Sequence, residues 1–138
     1  VLFRSIKFIY DSIKSINKIS KVIFTISPVP LVATFRSITS ISANSVSKAL
    51  LRAAIDEFYR EIDDPFINGL YYWPSYEMVK ELFPYTYKDS PYKKDNRHIK
   101  DDCIKEIMKN FELFYVIEEN ERNSSNFNSF NFFKRFKF

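Results

Sequence analysis

Apolar residues recur at Leu2, Ile6, Ile9, Ile13 and Ile16, a four-three spacing that lines one face of a helix. Lys7, Asp11, Lys14 and Asn17 fall mainly on the other side. This pattern predicts an amphipathic helix to about residue 17, with its apolar stripe laid against a sheet. The period then changes. Lys21-Val22-Ile23-Phe24-Thr25-Ile26 is a short apolar run rich in β-branched residues, the pattern of a strand buried on both faces of a parallel sheet. Ser27-Pro28-Val29-Pro30 stops it, because proline has no N–H to give to a ladder.

Residues 31–42 read as a loop. Asn44 or Ser45 can then cap a helix that runs through Leu50, Leu51, Ala54, Ile55, Phe58 and Ile62. Asp63-Asp64-Pro65 ends it, since the residue before proline avoids helical geometry. Leu70-Tyr71-Tyr72-Trp73 is a second short strand. Residues 75–83 follow as a helix with Met78, Val79 and Leu82 apolar, and 85–97 as a long polar loop. Cys103, Ile104, Ile107, Met108 and Phe111 then mark a helix over 99–111. From 123 onward Asn, Ser and Phe alternate without register, so 119–138 is expected to be a disordered tail.

Helix, strand, helix, strand, helix, helix is the order of an α/β layered architecture. Two strands alone bury little, and such a sheet needs more strands to stand by itself. A missing half is expected on that ground.

Composition narrows the chemistry. There is one glycine, Gly69, so glycine-rich phosphate loops are absent. The net charge is +4, but Lys134, Arg135 and Lys137 lie in the last five residues and the rest is close to neutral. No nucleic-acid surface is expected from that distribution. The aromatic, basic tail is the one segment suited to touching a membrane. Cys103 is the only cysteine, which gives neither an internal disulfide nor a zinc cluster and makes the cytosol the default location. No cofactor or metal is implied.

Four stretches together resemble the GSCFA family. They are Phe24-Thr25-Ile26-Ser27-Pro28-Val29-Pro30-Leu31 followed by Ala33-Thr34-Phe35, Ala43-Asn44-Ser45-Val46-Ser47-Lys48 continuing into Leu51-Arg52, Tyr72-Trp73-Pro74-Ser75-Tyr76-Glu77, and Asp95-Asn96-Arg97-His98 ahead of a helix. The resemblance implies a relative of the SGNH (GDSL-type) serine esterases, with a flavodoxin-like three-layer α/β fold. It also implies a serine nucleophile within a Gly-Ser-Cys-Phe-Ala motif, and the 138 residues contain no such motif. The chain thus resembles the C-terminal part of that domain, over 1–118, and is expected to be inactive alone. The alternative expectation is a non-catalytic binding subunit that pairs its sheet edge with another chain, such as a separate N-terminal half.

Within that resemblance, Asp95-x-x-His98 matches the Asp-x-x-His block of SGNH enzymes. The spacing lets a tight loop bring the carboxylate to the ring nitrogen that faces away from substrate. The other ring nitrogen can then serve as general base and later as general acid. His98 is the only histidine. Ser27 follows a strand, where open α/β sheets form their ligand crevice. It reads either as a pocket residue or as part of a strand-ending turn. Ser75, Tyr76 and Glu77 hold the equivalent place after the second strand, with Glu77 either a substrate ligand or an acid stabilising its helix start. Lys48 pairs with a carboxylate or contacts substrate; adjacent Ser47 points elsewhere on the helix. The substrate expected from the wider clan is an acylated carbohydrate or another ester.

Overall fold

The computed structural model describes residues 1–86 and 89–116, and the chain divides into two units, Val1–Ile99 and Lys100–Phe138. The first unit holds α1 (Leu2–Ile16), β1 (Val22–Thr25), α2 (Ser40–Glu61) and β2 (Leu70–Trp73). A helical stretch follows as α3 (Ser75–Glu77), one π-helical segment (Met78–Leu82) and α4 (Phe83–Thr86). The second unit, described to residue 116, contains α5 (Asp101–Tyr115). The expected tail at 119–138 lies outside the described residues.

β1 and β2 pair in parallel, from Val22↔Leu70 to Thr25↔Trp73. Parallel neighbours cannot be joined by a tight turn, and α2 supplies the crossover between them. The result is mixed α/β, a small parallel sheet with flanking helices.

Strand side chains alternate, so Val22, Phe24 and Ile26 share a face with Leu70 and Tyr72. That face packs with Ile6 and Tyr10 of α1 and Ala54, Ile55 and Phe58 of α2. Phe58 is fully buried. Phe3, Tyr10 and Phe24 meet its ring edge-on at centroid distances of 6.1, 5.4 and 6.4 Å. Each such large side chain taken out of water contributes roughly 1.5–3 kcal/mol before entropy is counted. Polar atoms at the core's margin are satisfied. Tyr10 Oη donates to the Asn68 carbonyl at 2.8 Å and Tyr59 Oη to the Leu70 carbonyl at 2.7 Å.

Gly69 sets the entry to β2. Its φ of +67° lies in the left-handed region, and an added Cβ would come within 3.1 Å of the Ser20 carbonyl oxygen. The Gly69 carbonyl itself accepts the Val22 N–H at 2.8 Å, the first bond across the sheet.

Three boundaries differ from the sequence expectation, each for a local reason. α2 begins ahead of Asn44 and Ser45, because Thr39 Oγ1 accepts the Ser42 N–H at 3.2 Å and caps the helix earlier. Helical winding continues past residue 83, through Pro84 to Thr86. An α-helix would press the Pro84 ring against the carbonyl four residues back. The wider π winding of 78–82, with Phe83 N–H reaching the Met78 carbonyl, precedes that point. α5 begins at Asp101 rather than 99, because Ile99 is held in an isolated antiparallel bridge to Tyr92.

Candidate functional site

Asp95 and His98 come together in a four-residue turn. Asn96 adopts φ +54°, a left-handed conformation that asparagine tolerates better than most residues. The turn lets Asp95 Oδ1 accept the backbone N–H groups of Arg97 and His98, both at 3.0 Å. Oδ2 meets His98 Nδ1 at 2.5 Å. The His98 side-chain bond, then the Arg97 and His98 backbone N–H groups, hold the Asp95 carboxyl well below the usual aspartate range. An ionised carboxylate can only accept, so Nδ1 donates to it, and in the neutral ring Nε2 is then the nitrogen with the open lone pair. Among the described residues Nε2 takes no hydrogen bond. The pair is open to solvent, with the two side chains 60% and 48% exposed.

The turn is tied to the sheet through its base. Lys93 N–H donates to the His98 carbonyl at 2.7 Å, and Tyr92 bridges to Ile99. Tyr92 Oη in turn donates to the Pro28 carbonyl at 3.3 Å, in the turn just beyond β1. The same turn is held from α2, where Asn44 Oδ1 accepts the Leu31 N–H at 3.1 Å. Residues 27–31 are therefore clasped between the base of the Asp95–His98 turn and one face of α2.

The other candidate residues take varied places along this rim. Ser27 is exposed, and its Oγ accepts the Val29 N–H at 3.2 Å. Ser75 Oγ donates to the Ile26 carbonyl at 3.0 Å and accepts from Thr25 Oγ1 at 2.8 Å, fastening the end of β2 to the end of β1. Glu77 is engaged from two directions. It accepts from Tyr72 Oη at 2.8 and 2.9 Å and from Arg52 Nε at 3.1 Å. Burial first, then the Glu77 carboxylate, raises the Tyr72 phenol far above its ordinary range. Tyr76 is half-buried, its phenol pushed up chiefly by burial. Lys48 is half-buried on α2, its ammonium pushed down by desolvation.

Arg52, which belonged to a matching stretch but was given no role, and Tyr92, which the sequence did not single out, join the site here. Arg52 stacks over the Tyr72 ring at 4.6 Å and also pairs with Asp56 at 3.6 Å. Its signal was its position one helical turn beyond Lys48 and two beyond Asn44. Tyr92 carries no distinguishing local pattern. A cavity of about 340 Å³ opens between Val79, Lys80 and Pro84 on one side and residues 89–92 on the other, and includes neither Asp95 nor His98.

In the second unit Cys103 is buried, and burial pushes its thiol up, which makes it a poor nucleophile. Among the described residues no three metal-ligating side chains cluster. No helix there is long and apolar enough to cross a membrane.

Comparison with known proteins gives one match: a family model described as the GSCFA family covers residues 2–111. No curated protein and no solved structure matches the chain.

Proposed function

The chain belongs to the GSCFA family, and from that premise we propose that it carries the acid–base part of a serine-esterase site of the SGNH type. One observation supports this above the others. The Asp95 carboxylate holds the Nδ1–H side of His98, leaving Nε2 unengaged, in a turn braced by Tyr92 to the strand-end segment.

In this reading Nε2 removes the proton of a serine hydroxyl as that oxygen attacks the acyl carbon of an ester. The resulting imidazolium is stabilised by Asp95 and then protonates the departing alcohol. Water later takes the acyl group by the same proton route in reverse roles. No residue described here offers a hydroxyl to Nε2, and the sequence contains no Gly-Ser-Cys-Phe-Ala motif. The nucleophile and oxyanion donors therefore come from another segment, and residues 1–118 act as the C-terminal part of a flavodoxin-like domain whose further strands that segment supplies. The high exposure of the Asp95–His98 pair fits a surface that such a segment would cover. Acylated carbohydrate is the substrate class this reading favours.

The test is hydrolysis of a chromogenic acyl ester by the chain alone and by the chain mixed with a polypeptide bearing the family's serine motif. Turnover is expected only in the mixture, abolished by His98→Ala and cut by orders of magnitude by Asp95→Asn. Turnover in the mixture that ignores His98→Ala rejects the assignment. No turnover at all, with the two polypeptides bound to each other, favours a non-catalytic binding subunit.

A further inference from the structure

Lys48 is the one candidate residue at the rim with a full charge and nothing to balance it. It lies one helical turn after Asn44 and one turn before Arg52, so the three share a face of α2. Both flanking residues reach segments just beyond the strand ends. Asn44 receives the Leu31 N–H, and Arg52 bonds Glu77. Lys48 is thereby held on the α2 face between the segment following β1 and the segment following β2.

The charge accounting along that face is uneven. Arg52 is matched by Glu77 at 3.1 Å and Asp56 at 3.6 Å. Lys48 makes neither a hydrogen bond nor an ion pair among the described residues. It stands one turn from a like charge, an arrangement that destabilises a helix. Desolvation also lowers its pKa, with no carboxylate acting to raise it. A stem-buried lysine on an ordinary surface would extend its head into water or find an acid. One held half-buried between two strand-end segments without a counter-charge is suited to an incoming one.

We propose that Lys48 receives an oxyanionic group of the substrate, a carboxylate or a phosphate, so that the site takes a negatively charged ester. This rests on the esterase reading for its role, though not for the binding itself. The ammonium is a point charge with three donors, suited to either group. Ser47, the neighbour on the helix, points away and takes no part.

The experiment is an amide NMR titration of the full chain with sodium acetate and, separately, with inorganic phosphate, each against sodium chloride at matched ionic strength. Saturable shifts centred on residues 44–52 and on Leu31 are expected with at least one oxyanion and not with chloride. They should be lost in Lys48→Gln and in Lys48→Met, which keeps the stem. A response to acetate alone assigns a carboxylate, and one to phosphate alone a phosphate. No saturable response in the unmodified chain overturns the proposal, as does a response that both variants retain. Binding needs no turnover, so oxyanion binding in a chain whose mixture hydrolyses nothing keeps the Lys48 site and removes the esterase reading. Hydrolysis without oxyanion binding does the reverse.

Discussion

Replacing Gly69 with alanine should weaken the first unit by about 2 kcal/mol, a sum of three effects with different signs. A left-handed backbone costs an L-residue roughly 1–2 kcal/mol. Alanine also stiffens the unfolded chain, which returns roughly 0.4–1 kcal/mol. The new methyl then meets Lys14 Nζ at 3.0 Å and the Ser20 carbonyl oxygen at 3.1 Å. Neither neighbour retreats freely. Lys14 Nζ is bonded to the Ser20 carbonyl at 2.5 Å and to the Lys18 carbonyl at 3.1 Å. Moving Gly69 instead strains the Val22 N–H bond to its carbonyl, which opens the sheet ladder. Crowding of this kind adds about 1 kcal/mol. Urea unfolding followed by far-ultraviolet circular dichroism and by Trp73 fluorescence reads the sum. With a denaturant slope of roughly 1–3 kcal/mol/M, the midpoint should fall by about 1 M. Gly69→Asn keeps the steric contacts but tolerates the backbone better, so it should fall between alanine and the parent. Alanine as stable as glycine would refute both the left-handed requirement and the close approach.

Phe58→Ala removes the ring on which Phe3, Tyr10 and Phe24 converge and should cost about 3–5 kcal/mol in the same unfolding assay; a loss under about 1 kcal/mol would mean that this ring is not the centre of the core. Asp95 should remain ionised where an ordinary aspartate, near pH ~3.9, is half protonated. Because its folded pKa is depressed, whatever the pair contributes to the turn is present above that ordinary range and fades as pH falls through the lower folded value. A carboxyl-carbon NMR titration tests this, with His98→Ala expected to return Asp95 upward; a midpoint at the ordinary value would contradict the geometry.

The elements whose signal is a repeating pattern were legible in the sequence. The helix from Leu2 to Ile16 was legible as α1, but not its buried face: Phe3, Ile6, Tyr10 and Ile13 meet the core while Leu2, Ile9 and Ile16 of the expected stripe stay exposed; the apolar runs around Ile23 and Tyr71 became the paired strands. The Asp95–His98 contact was legible too, because a spacing of three within a turn leaves a carboxylate few other places to go. What depended on a single hydroxyl or a single ring was not. Nothing in 39–42 announces that Thr39 outcompetes Asn44 as a cap. Pro84 reads as a helix end, and only the π winding before it lets the chain continue. Glu77 looked like an acid at a helix start, yet its partners Tyr72 and Arg52 come from a strand and a distant helix, which no local pattern encodes. Tyr92 was invisible for the same reason: its partner Pro28 is 64 positions away.

The imidazole's chemistry and its aim have separate origins. Every side-chain hydrogen bond of the Asp95–His98 pair arises within residues 95–98, so the carboxylate–imidazole contact would survive if this turn were lifted onto another scaffold. The ring's direction is set from the foot of the turn, by the Lys93 bond to the His98 carbonyl, the Tyr92–Ile99 bridge and the Tyr92 phenol's bond to the Pro28 carbonyl. Change at those contacts would swing the imidazole relative to the strand-end segment without breaking its bond to Asp95.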